Sequence, residues 1–327
     1  MKTAEIENDI LVVKNRDNET LDGRKGALVK VLGCGLCGSD IVKLKQHLVK
    51  GGTVLGHEIV GQILEINSET EFKTGDVIVT SHHIPCGKCE YCKNGNVSMC
   101  RHFKETNIRP GGFSELVFVS EEHLLNVAYL KPDNLKNDEA AFYEPLGCCI
   151  RAVKRANLNP KSTVLVIGLG SIGIIMAQAL KAFGMNVIGC DLLTSRVELL
   201  KKLGIEAFNV NEMCEGINSD AIFMTSGSDK ALPTALKYVR DGGKILVFSS
   251  TPMNTGYANN EIYYRELTVL GSYSPSPSDL KESLELLKNE QVKVKGLSVE
   301  YPLENIQKAV NDTIDNKILK AYINISS

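Results

Sequence analysis

The sequence predicts an α/β protein: a doubly wound parallel sheet, with a second, irregular β-rich domain ahead of it. Three observations carry this. From Ser162 onward, buried-strand runs alternate with amphipathic helical stretches, the rhythm of parallel strand–helix–strand units. The first of those strands runs into Gly168-x-Gly170-x-x-Gly173 and then a helix. Residues 25–130 instead show short alternating stretches broken by Gly and Asp, which suits an irregular β domain.

The elements follow in order. "KGALVKVLGCG", "TVLGHEIVGQILEI", "GDVIVTSH" and "GGFSELVFV" read as strands of the first domain. Residues 138–157, "DEAAFYEPLGCCIRAVKRAN", read as helical on both sides of Pro145. "TVLVIG" is a buried strand, "SIGIIMAQALKAFG" a helix stopped by glycine, and "MNVIGCD" a second strand. "TSRVELLKKLG" is a helix that the pattern Ser195-x-x-Glu198 opens with a capping box. "DAIFMTSG", "ALPTALKYVRDGG" and "KILVFSS" continue the alternation, and the tail reads helix, helix, strand. The expected domains are 1–145, 146–280, and a segment 281–327 that returns to the first.

Composition sets limits. At 327 residues the chain is long enough for about two domains. Its 37 Lys and Arg against 39 Asp and Glu leave a net charge of −2, which argues against nucleic acid as a partner. The N-terminal stretch is rich in acids and has no apolar core of a signal peptide. Ser162–Leu180 carries no charge over nineteen residues, but its glycines break it where a strand ends and a helix begins, so no membrane span is expected. Ten cysteines without a secretory signal suggest a reducing, cytoplasmic setting, in which clustered thiols more often bind metal than pair.

The glycine pattern is informative because of its context: a strand before it, a helix after it, and Asp191 eighteen residues past the last glycine. Gly168 permits the tight turn, Gly170 lets the backbone approach a pyrophosphate, and Gly173 lets helix and strand pack closely. Ser171 and Ile172 lie in the helix's first turn, whose free N–H groups suit phosphates. Asp191 would bind the ribose hydroxyls and repel a 2′-phosphate, so NAD is expected over NADP. Arg196 is the counterweight, since an arginine there can hold that phosphate.

Two cysteine-containing patterns point to metal. Cys86, Cys89, Cys92 and Cys100 are separated by two, two and seven residues. This fits the ferredoxin run poorly and a closed, structural zinc site well, with iron–sulfur and free or disulfide thiols as rivals. Upstream, "LGCGLCGSD" supplies Cys37, Ser39 and Asp40, "VLGHEIVG" supplies His57 and Glu58, and "YEPLGCC" supplies Glu144. A thiolate, an imidazole and a carboxylate from separate loops make an open zinc site with room for substrate. Cys34 and Cys37 also form a C-x-x-C, but the thioredoxin context is missing.

Taken together, "CGLCGSD", "GHEIVG", the four-cysteine stretch, "GGFSE", "EPLG" and "GLGSIG" resemble the zinc-dependent medium-chain dehydrogenase/reductase superfamily, over roughly residues 25–325. Within it the sequence is most similar to sorbitol, threonine and other polyol dehydrogenases. The resemblance implies a GroES-like catalytic domain, a Rossmann domain and a cleft between them. It implies Cys37, His57 and Glu144 as catalytic zinc ligands, with Glu58 in or beside that shell. Asp40 would orient the ligand histidine and Ser39 would take the substrate proton. Cys86, Cys89, Cys92 and Cys100 would hold a structural zinc in the lobe 86–100. Each chain would thus carry two zinc ions and one NAD, and assemble as a homodimer or homotetramer.

Two positions depart from the family pattern. Many relatives carry a proton-relaying histidine where Val42 stands, and the nearest imidazole is His47. Several have histidine where Arg151 stands, which is either a solvated helix residue or a substrate contact. The expected reaction is hydride transfer between a secondary alcohol or polyol and NAD. Alternatives on the same scaffold are a sugar-phosphate dehydrogenase, with Arg109 and Arg151 holding the anion, or a non-catalytic zinc- and NAD-binding relative. His82, His83 and His102 read as loop residues rather than ligands, and Cys148, Cys149, Cys190 and Cys214 as small buried residues.

Overall fold

The computed structural model describes residues 1–212, 216–250 and 258–325. The chain divides into two compact units. One comprises Met1–Pro145, Ser276–Lys288 and Val294–Ser327, the other Leu146–Pro275 and Asn289–Lys293. Cys214 lies outside the described residues.

The first unit opens with an antiparallel hairpin, Lys2–Glu7 against Ile10–Asn15. The segment marked above only by its acids thus forms a strand pair that buries Ala4, Ile6 and Leu11. The main sheet follows the order Ser298–Pro302, Lys320–Asn324, Gly26–Gly35, Glu58–Asn67, Val77–Thr80, Ala128–Leu130, with Leu116–Ser120 also paired to Gly26–Gly35. The strand Lys320–Asn324 therefore lies beside the strand that leads into Cys37. Its approach depends on two glycines. A Cβ at Gly33 would lie 2.0 Å from the Tyr322 hydroxyl, and one at Gly35 would lie 1.9 Å from a Glu58 carboxylate oxygen. With no side chain at either position, one strand can carry partners tight against both of its edges.

The helix expected around Pro145 is one helix, Tyr143–Ala156, preceded by the short Asn137–Ala140. Pro145 falls in its first turn, where a missing N–H leaves no intrahelical bond unmade.

Among the described residues, the second unit holds a six-stranded parallel sheet in the order Glu206–Asn209, Asn186–Asp191, Thr163–Ile167, Ser219–Met224, Val239–Val247, Thr268–Gly271. The central strand keeps Val164, Leu165, Val166 and Ile167 all buried, as expected of a parallel strand covered on both faces. The uncharged run at Ser162–Leu180 is this strand followed by the helix Ser171–Ala182. No helix among the described residues is long and apolar enough to cross a membrane. One helix start differs from expectation. The helix Thr194–Lys202 is capped by Leu193, with no side-chain cap hydrogen bond. Ser195 is already its second residue, so the capping box does not form. Instead the Asp191 carboxylate accepts from Leu193 N at 2.9 Å.

Candidate metal centres and dinucleotide site

Strand pairing builds the first site. Gly35 and Glu58 are cross-strand partners, so the chain leaving one strand at Cys37 meets the chain entering the other at His57. The ligand-type atoms of Cys37, His57 and Glu58 all lie within 4.8 Å of one another. Cys37 caps the helix Gly38–Lys45, and Asp40 in its first turn accepts from Cys37 N at 3.3 Å. The same carboxylate, wholly buried, lies 3.5 Å from His57 Nδ1 through its Oδ1. It thereby orients the ring and leaves the other nitrogen for a ligand. Burial disfavours the imidazolium, yet the charges of Asp40 and Cys37 hold His57 well above the usual histidine range. Burial likewise opposes ionisation of Asp40, and His57, Lys43 and the Cys37 N–H outweigh it and lower its pKa. Ser39 stands exposed one residue before Asp40. Glu144 is buried in the first turn of Tyr143–Ala156. It is not part of the tight group, although its charge reaches Lys320.

Glu58 is held from the far end of the chain. Lys320 Nζ lies 2.6 Å from Glu58 Oε2, with side chains 5% and 0% exposed, and it donates to the Leu36 carbonyl at 3.3 Å. Burial works against the ammonium, but Glu58 and Cys37 keep its pKa raised. Glu58 Oε1 is buried with no hydrogen-bond partner among the described residues. An unsatisfied carboxylate oxygen beside a thiol and an oriented imidazole fits a borderline cation such as zinc.

The second cluster is tighter. Cys86, Cys89, Cys92 and Cys100 place their sulfurs within 4.8 Å of one another, with Cys89–Cys92 at 3.6 Å and Cys86–Cys92 at 4.0 Å. A tetrahedral ion with metal–sulfur bonds near 2.3 Å has sulfur–sulfur edges of about 3.8 Å. A disulfide needs about 2.05 Å. The spacing therefore fits one closed zinc ion. Burial opposes the Cys100 thiolate, but backbone N–H groups of Cys86 and Phe103 bring it down to about 6.

In the second unit, the glycine turn leaves the strand Thr163–Ile167. Gly168 has φ +93°, a left-handed conformation that favours glycine. A Cβ on Gly173 would lie 1.8 Å from the Gly168 carbonyl oxygen, whereas one on Gly170 would meet nothing within 4 Å. One glycine makes the close packing possible, and the other leaves room for a pyrophosphate at a helix start that no side chain caps. Ser171 and Ile172 are half-buried in that first turn. Asp191 accepts from Leu169 N at 2.6 Å and lies 3.5 Å from Arg196 Nη1, so its carboxylate is fixed beside the turn.

Comparison with known proteins agrees. Residues 23–129 match the alcohol dehydrogenase GroES-like domain, and residues 171–289 match the zinc-binding dehydrogenase domain. Sorbitol dehydrogenase of Bacillus subtilis is 30% identical over 98% of this chain and 94% of that protein. D-arabitol-phosphate dehydrogenase of Enterococcus avium is 30% identical over 90% and 89%. The chain belongs to the zinc-dependent medium-chain dehydrogenases. Its fold matches galactitol-1-phosphate dehydrogenase of Escherichia coli (TM-score 0.86, 23% identity, 99% of this chain and 100% of that one). It also matches acetophenone reductase of Geotrichum candidum in complex with NAD (TM-score 0.84, 22%, 99% and 96%).

For a member of this family, several placements were not legible beforehand. His82 is a loop residue outside the tight ligand group, as expected, but its ring centroid lies 4.7 Å from that of His57. Burial and the charges of His57, His83 and Lys43 push its pKa well down. His102 pairs with Glu122 at 2.6 Å. Arg151 is only 6% exposed, so it is not a solvated helix arginine, whereas Arg109 is exposed. His47 is exposed and its Nδ1 meets Asp9 at 2.6 Å. Cys149 and Cys190 are buried, and Cys148 is half-buried. Lys320 carried no local signal. The glycine alternation Gly33-x-Gly35 was the one hint that a neighbour presses on that strand.

Proposed function

We propose that the protein oxidises a secondary alcohol or polyol with NAD, using a catalytic zinc held by Cys37, His57 and Glu144 with Glu58 at its edge. A second, structural zinc is held by Cys86, Cys89, Cys92 and Cys100. The observation that carries the reading is the convergence of Cys37, His57 and Glu58 within 4.8 Å, with Asp40 behind the histidine. The names of the relatives, sorbitol dehydrogenase among them, point to the same substrate class.

Bound zinc supplies Lewis acidity that acidifies an alcohol, and bound NAD supplies the hydride acceptor. The chain supplies the rest. Ser39 accepts the proton from the substrate hydroxyl. His47 is engaged with Asp9, so water carries that proton onward. Asp40 fixes the His57 ring, and Lys320 restrains Glu58. Asp191 binds the ribose hydroxyls and disfavours a 2′-phosphate, which makes NAD the better substrate despite Arg196.

A phosphorylated polyol is the second reading. It is favoured by the Lys43 ammonium 3.9 Å from Asp40 Oδ1 and by the name of the arabitol-phosphate relative. NADH formation across secondary alcohols, polyols, threonine and sugar phosphates tests both readings. Cys37→Ser should abolish turnover while NAD still binds. Wild-type kcat in that variant would refute the site, and activity confined to phosphorylated substrates would select the second reading.

We further place the protein in the reducing cytoplasm as a homodimer or homotetramer. Thr268–Gly271 is an edge strand without a charged residue, with Val269 exposed and Tyr263, Tyr264 and Tyr273 exposed nearby in sequence. Monomers usually guard such an edge with charge or proline. Light scattering on the eluting protein reads the assembly directly, and a monomer would refute it.

A further inference from the structure

His82 is anchored in the backbone but unsatisfied at the ring. Its carbonyl accepts from His123 Nε2 at 3.1 Å, and His123 Nδ1 in turn meets the Ser120 hydroxyl at 2.7 Å. On its other side His83 stacks on it at 3.8 Å, meets the Thr106 carbonyl through Nδ1 at 2.6 Å, and packs on Phe103. The loop is therefore clamped on both flanks of His82, and its ring is set 4.7 Å from the His57 ring at a tilt of 41°. Yet His82 Nδ1 is buried and has no hydrogen-bond partner among the described residues.

Buried polar atoms are rarely left in that state, because the lost hydration is not returned. A ring needed only for packing would be served better by Phe or Leu. The tight ligand group beside it is Cys37, His57 and Glu58, without His82, so metal ligation does not explain the nitrogen either. A hydroxyl brought by the substrate would supply the missing partner.

We propose that His82 is a specificity-determining residue whose Nδ1 hydrogen-bonds the hydroxyl next to the carbinol being oxidised, so that the site selects vicinal diols and polyols over simple alcohols. This rests on the dehydrogenase reading above and adds a residue to it. A neutral imidazole nitrogen can accept from, or donate to, a hydroxyl. A site built to hydrogen-bond a substrate hydroxyl also rejects analogues that lack it, because its own buried group is then left unpaired.

The test is a matched pair, 2,3-butanediol and 2-butanol, with wild type, His82→Leu and His82→Asn. Asn carries a polar atom at about the reach of Nδ1. Wild type should favour the diol. In His82→Leu, kcat/KM for the diol should fall about 10-fold or more while that for 2-butanol stays within about 3-fold. His82→Asn should recover much of the loss. Zinc content should stay at the wild-type level. Binding of the diol to the NADH-loaded protein, where no oxidation can proceed, should weaken in parallel. Equal losses on both alcohols, an unchanged preference, or loss of a zinc ion in His82→Leu would each overturn the proposal. If wild type turns over neither these alcohols nor any polyol, the dehydrogenase reading fails. The diol-binding titration then still decides the role of His82.

Discussion

Replacing Lys320 by Met leaves Glu58 buried without its cation. The two charges lie 2.6 Å apart with almost no solvent access, where their attraction at an effective dielectric near 20 is about 6 kcal/mol. That is not the net cost, because burial of both ions already offsets much of it. Removing one partner of a buried pair costs about 3–5 kcal/mol. For a unit of this size each kcal/mol moves the midpoint by about 2–4 °C, so Lys320→Met should lower Tm by roughly 6–20 °C. The scan should be run on zinc-free protein, since zinc would partly replace the missing positive charge. Lys320→Arg keeps the cation and should lose much less. Glu58→Gln in the Lys320→Met background removes the stranded charge and should restore most of the stability. A Tm for Lys320→Met within about 2 °C of wild type, or no rescue by Glu58→Gln, would refute the argument.

Gly173→Ala would place a Cβ 1.8 Å from the Gly168 carbonyl oxygen, so the turn must open; NAD affinity should fall about 10-fold or more by titration, and unchanged affinity would remove the turn from the cofactor site. Cys100→Ser should release one zinc per chain and lower the thermal midpoint, while a variant equally stable with one zinc fewer would count against a structural ion. Burial lowers His83 to about 4, below the value near 6.5 of the unfolded chain. The unfolded state then binds the proton more readily, so His83 weakens the fold as pH falls from about 6.5 to about 4 and has no such effect above that window. Denaturant midpoints of wild type and His83→Asn should therefore converge or cross on acidification, and parallel curves would contradict the shift.

Local pattern made the second unit readable. Its strands are continuous apolar runs, its helices follow directly, and its glycines stand where one turn requires them. The same holds for the four thiols, which fall within fifteen residues of sequence and need only a tight loop to converge. What escaped was set by partners distant in sequence. Lys320 meets Glu58 because strand Lys320–Asn324 pairs with Gly33–Gly35, and a lysine in a short tail strand carries no sign of that. His82 reaches His57 because a loop after Val77–Thr80 is held by His123 and Thr106. The Ser195 capping box matched its motif, yet the Asp191 carboxylate, placed by the sheet, took the local N–H first.

The position of the last strand also sets an order of events during synthesis. The first unit's sheet stays without one of the neighbours of Gly26–Gly35 until residues 320–324 exist. The Glu58 carboxylate likewise waits for Lys320. The second unit is drawn almost entirely from one uninterrupted stretch and can fold while the chain is still emerging. A variant lacking residues 318–327 would therefore leave the buried Glu58 carboxylate without the Lys320 ammonium that lies 2.6 Å from it.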